Sequence, residues 1–65
     1  MINIWDYADA KNVKITAIDG KEYVGSVVDI SDIEENEREE DDITIYCNGN
    51  YLAFMPSEIV RIEVV

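Results

Sequence analysis

Residues 13–27 read V-K-I-T-A-I-D-G-K-E-Y-V-G-S-V, and no other stretch restricts the fold as much. Val13, Ile15 and Ala17 alternate with Lys14 and Thr16, the period of two that turns one face of a strand towards a core. This places a first strand over 12–18. Asp19-Gly20 then predicts a two-residue hairpin turn, because a type I′ turn requires φ > 0 at both central residues. A second strand follows over 21–30, with Gly25 inside it. Glycine in a strand interior marks a bulge, a corner or the close approach of another backbone. The expected strand bends hard, as the strands of a very small barrel must.

The remaining elements are short. Ile43 to Cys47 is dense in β-formers, and Asn48-Gly49 is a second hairpin signal. A fourth strand over 50–55 carries Leu52 and Phe54 on one face. Pro56-Ser57-Glu58 breaks it, since Pro56 donates no hydrogen bond, and a 3₁₀ turn is expected there. A last strand over 59–65 places Val60, Ile62 and Val64 on one side and Arg61 and Glu63 on the other. Ahead of the first strand, residues 3–10 predict a short helix. Asn3 is its N-cap, Asp6 sits in its first turn, and Ile4, Tyr7 and Ala8 form its apolar face. Trp5 would lean on the body from the same side. The expectation is one mainly β domain over 1–65: a strongly bent five-stranded barrel with a short N-terminal helix and a 3₁₀ turn before the last strand.

A domain of 65 residues buries only about 60% of the surface that its unfolded chain exposes, so it needs a staple or a partner. Cys47 is the one cysteine, which excludes an internal disulfide, and the absence of histidine leaves too few ligands for structural zinc. The remaining remedy is self-association. An apolar terminal strand such as 59–65 is a hazard as a free edge and a natural pairing surface for a neighbouring subunit. The lone cysteine and the lack of a signal-peptide pattern predict a reducing, cytoplasmic setting. No apolar run approaches the roughly 20 residues that span a bilayer.

Charge narrows the partners. Residues 31–42 hold eight acids and one base, a net −7 of the chain's −10. Such a run repels itself and buries too little apolar surface to offset ordering, which predicts a mobile acidic loop over 31–42. Nucleic-acid affinity rests on Lys and Arg neutralising phosphate, and five bases against fifteen acids is the wrong balance. The same field disfavours anionic membranes and favours a basic protein partner. No catalytic set stands out. Cys47 has no histidine and no nearby base to activate it, so it is expected as a small buried apolar residue. The acidic run lacks the Asp-x-Asp-x-Asp-Gly spacing of a calcium loop. No glycine-rich loop could cradle phosphate. No metal or cofactor is expected. Of Trp5, Tyr7, Tyr23, Tyr46, Tyr51 and Phe54, half or more are expected in the core.

The outline resembles the Sm-like (LSm) family of SH3-like small barrels. The residues that match its first motif are Val13, Ile15, Ala17, Asp19, Gly20, Lys21, Tyr23, Gly25 and Val27, under a quarter of the chain. The resemblance implies a short helix leading into a bent five-stranded sheet, and rings built by pairing edge strands between neighbours. The chain also looks like small uncharacterised proteins of bacteria and their phages. Many Sm-like proteins bind single-stranded RNA, and the resemblance would carry that role to Asp32 and Asn36, and to Asn48-Gly49 in the second motif. Asp32 lies one residue past the motif's register, however, and the second motif's arginine is missing. The reading is a non-enzymatic assembly or protein-interaction module. The alternative is an RNA-binding ring protein.

Overall fold

The computed structural model describes residues 2–32 and 40–65. Most of the expected acidic loop, including Asn36, lies outside the described residues. The elements run as a 3₁₀ turn η1 (Ile4–Tyr7), β1 (Asn12–Ala17), β2 (Glu22–Ser31), β3 (Asp42–Cys47), β4 (Asn50–Phe54), a second 3₁₀ turn η2 (Pro56–Glu58) and β5 (Ile59–Val64). The strands form one antiparallel sheet in the order β4-β3-β2-β1-β5.

No ladder joins β4 to β5 among the described residues, so the sheet is not closed into a barrel. It is nevertheless curled. Opposite edges of a flat five-stranded sheet would lie about 19 Å apart. Residues 55–58 join β4 to β5, and three of the four are in η2, which advances only about 2 Å per residue. That connection falls short of 19 Å unless the two edges approach each other.

Gly25 shows where the curl begins. A Cβ built on it would lie 2.3 Å from the Tyr46 carbonyl oxygen and 2.9 Å from its carbon. The β2 backbone therefore passes β3 at a distance only glycine allows. Beyond it the β2–β3 register shifts between Val27 and Asp29. The shift changes which residues face inward: Tyr23, Gly25 and Val27 before it, Ile30 after it, with Val28 turned out to solvent.

A second irregularity corrects the expected face of the last strand. The β1–β5 register shifts as Thr16 pairs with Arg61 and Ala17 with Ile59. Val60 is the extra residue, and it is 61% exposed while Ile59 and Ile62 are buried. An added residue flips the parity of everything beyond it. Val64 is also exposed, at the strand's end.

The N-terminal helix is a single 3₁₀ turn rather than a helix over 3–10. Its bonds run from Asp6 N–H to the Asn3 carbonyl, Ala8 to Trp5 and Ala10 to Tyr7, all three residues apart. Asn3 caps it as expected, its side-chain oxygen accepting from Trp5 N–H at 3.2 Å. In this geometry side chains at i and i+3 eclipse. Ile4 and Tyr7 therefore face the core together, and Ala8 drops out to solvent.

The two hairpins differ. Asn48 and Gly49 have φ of 50° and 84°, the pair of positive values that type I′ demands. At the first hairpin Gly20 alone is positive, at 86°. There Gly20 N–H donates to the Ala17 carbonyl and Ala17 N–H to Lys21, which makes a three-residue loop over 18–20. Asp19 contributes differently from the expectation: its carboxylate accepts from Lys21 N–H at 2.9 Å. At the second hairpin, Gly49→Ala is expected to cost about 1–2 kcal/mol, the penalty of a Cβ in the left-handed region. Asn48→Gly should leave the urea midpoint nearly unchanged. Equal midpoints for the two variants would refute this account of the turn.

The core is Ile4, Val13, Ile15, Ala17, Ile43, Ile45, Cys47, Phe54, Ile59 and Ile62. Tyr23 packs against Phe54 with ring centroids 5.3 Å apart, and Leu52 lies half-buried beside the core. On the outer face Lys14 Nζ meets Glu22 at 2.9 Å. That hydrogen bond, then the carboxylate's charge, raises the Lys14 pKa above its ordinary 10.5. A raised lysine pKa means the pair supports the fold at neutral pH. That support fades as pH rises through the raised value.

Candidate interaction surfaces

Three surfaces could carry function: an acidic rim, a groove beside Trp5, and the free edge of β4.

The rim is built where β2 ends and β3 begins. Ser31 pairs with Asp42 across the ladder, so both ends of the acidic segment start from fixed strand positions. Asp42 is 6% exposed. Glu40 reaches across to η2, where its carboxylate accepts from Ser57 N–H at 3.2 Å and from the Ser57 hydroxyl. Asp41 Oδ2 accepts from the Trp5 indole N–H at 2.8 Å. Asp32 follows β2 directly and is half-buried. Carboxylates thus gather at this end of the sheet.

The RNA-binding candidates do not converge. Asp32 sits at the Asp42 end of β3, whereas Asn48-Gly49 forms the hairpin at its Cys47 end. The six residues of β3 separate them by about 20 Å. Asn36 lies outside the described residues. Cys47 is buried in the core, against the inner side of Gly25. Among the described residues no group of three or more His, Cys, Asp or Glu side chains could hold a metal ion. No described helix is long and apolar enough to cross a membrane.

The groove lies between η1 and the second half of β2. It holds about 300 Å³ and is lined by Trp5, Ala8, Val27, Val28, Asp29 and Ile30. Trp5 is 45% exposed and Val28 48%. The Asp29 carboxylate accepts from the Ser31 hydroxyl at 3.2 Å. Sequence reasoning placed Trp5 near the body but not beside Asp41, 36 residues away. No local pattern encodes such a bond. Nor does any pattern announce that a register shift turns Asp29 outward.

The edge is β4, Asn50–Phe54, whose ladder partner is β3. It contains no charged residue and no proline. In a two-residue hairpin the positions flanking the turn exchange both hydrogen bonds, and the pairs then alternate. Counting from Cys47 and Asn50, the N–H and C=O groups of Tyr51 and Ala53 point away from β3. Tyr51 packs against Tyr46 with ring centroids 5.0 Å apart and the rings tilted by 56° on the outer face, and it is 70% exposed. Trp5, Tyr46 and Tyr51 are therefore the aromatics outside the core, and Tyr7, Tyr23 and Phe54 are packed against or within it. Compared with protein-family models, curated proteins and solved structures, the chain matches none of them.

Proposed function

We propose that this chain is a non-enzymatic assembly module, an Sm-like small fold with an incompletely closed sheet, that builds homo-oligomers by pairing edge strands between copies. The observation that carries the reading is β4. It is an uncharged edge strand whose outward backbone groups at Tyr51 and Ala53 form a ready template. Natural monomers blunt such edges with lysine, proline or a bulge, and β4 has none of these. The other edge of the sheet, β5, is the complementary surface that a neighbouring copy would offer. An incompletely closed barrel fits the curl at Gly25, the two register shifts and the 3₁₀ turn before the last strand. The carboxylates of the rim support protein contacts over RNA contacts, since they repel phosphate.

Size-exclusion chromatography with light scattering tests the reading. The wild-type mass should be a multiple of the 7.4 kDa chain at micromolar concentration. Ala53→Pro removes an outward donor without breaking an internal ladder bond, and Ala53→Lys places a charge on the edge. Both should shift the mass to the monomer while the β-sheet circular dichroism persists. A strictly monomeric wild-type chain would sink the proposal. Labelled oligo-U and oligo-A should show no anisotropy change at low salt, where the electrostatic contribution is largest.

A further inference from the structure

Trp5 exposes nearly half of its surface, although the core beside it is already filled by Ile4. Its position is fixed all the same. The indole N–H is held by Asp41, so the ring itself, rather than its polar edge, is what the surface offers. Alternation turns Val28 outward and the β2 register shift turns Asp29 outward beside it, and both line the groove. An aromatic ring, an aliphatic wall and a carboxylate thus line one concave surface. Its volume of about 300 Å³ is at the lower limit for small-molecule sites and suits one long side chain better than a cofactor.

We propose that this groove docks an arginine side chain from a basic protein segment. The aliphatic stem would lie against Val28 and Ile30, the guanidinium over the Trp5 ring, and its N–H fork towards Asp29. Guanidinium stacks on aromatic faces and pairs with carboxylates in two directions, which lysine does not match. Charge complementarity selects this partner. The chain carries −10, with carboxylates both in the groove and behind Trp5, and a phosphate-bearing partner would be repelled. The groove lies on the middle strand of the sheet, away from both edges, so assembly through β4 and β5 leaves it open.

The experiment is an amide NMR titration of the full chain with the blocked peptide Gly-Gly-Arg-Gly-Gly. Lysine and citrulline versions serve as comparators. Saturable shifts are expected at the Trp5 indole N–H, Val28 and Asp29. The affinity order should be arginine over lysine, with citrulline silent. Asp29→Asn should weaken arginine binding about fivefold or more, as loss of a close charge partner does. Glu63→Gln on β5 removes the same charge far from the groove and should change affinity by less than about twofold. Trp5→Phe keeps an aromatic ring and should weaken binding less than Trp5→Leu does. Equal losses in Asp29→Asn and Glu63→Gln would mean diffuse attraction to an acidic protein and would overturn the proposal. So would shifts confined to the acidic segment, or no saturable shift.

Discussion

Gly25→Ala is expected to leave the chain largely unfolded at 25 °C. The added Cβ would sit 2.3 Å from the Tyr46 carbonyl oxygen, closer than such atoms approach in folded proteins. Overpacking against side chains costs about 1–3 kcal/mol, because side chains can move aside. Here the obstacle is main chain in the ladder between β2 and β3, and relief requires those strands to separate. A penalty of at least about 3 kcal/mol consumes most of the roughly 3–5 kcal/mol that a core of this size supplies. Gly20→Ala provides the comparison. Nothing lies within 4 Å of its added Cβ, so its cost comes from φ of +86° alone. That cost is about 1–2 kcal/mol. Urea titration followed by circular dichroism reads both. If the two variants had the same midpoint, the close approach at Gly25 would not be what shapes the sheet.

The strands were legible because their signals are local. Alternation at Val13, Ile15 and Ala17, and the glycine at 25, need no knowledge of the rest of the chain. The Asn48-Gly49 turn was legible for the same reason. Asp19-Gly20 marked the right place but the wrong turn: the two-residue loop needs φ > 0 at Asp19, and only Gly20 takes it. The faces of β5 were missed because a register shift depends on two strands at once. Val60 lies outside because Thr16 and Ala17 meet Arg61 and Ile59, and nothing in residues 59–65 records that. Closure was overread in the same way. Five strands and a bent glycine predict a barrel, whereas hydrogen bonding between β4 and β5 depends on how far the curl proceeds. The groove was the least legible feature. It needs Trp5 from η1, Asp29 turned outward by a register shift, and Asp41 from the end of the acidic run, three facts that meet only after folding.

Ile15→Ala should be nearly as damaging as the glycine change, for the opposite reason, and its concentration dependence bears on assembly. Ile15 is fully buried on β1, which pairs with both β2 and β5, so it lies between Tyr23 and Ile62 in the ladder. Truncation to alanine removes packing on both sides of a central strand and is expected to cost about 2–5 kcal/mol. Ile15→Val removes one methylene and should cost about 0.5–1.5 kcal/mol, leaving a folded chain with a lower midpoint. A lone domain with about 3–5 kcal/mol in hand would lose most of its folded population in the alanine variant at any concentration. An assembled one would not behave that way. A neighbour present at a hundred times its Kd adds about 2.7 kcal/mol to the folded state. The Ile15→Ala chain should therefore regain β-sheet signal as its concentration rises, and Ala53→Pro in the same background should abolish that recovery. A midpoint for Ile15→Ala equal to wild type would contradict the core described above. A loss of structure that concentration does not reverse would leave the core intact as an account and remove edge pairing as the source of stability.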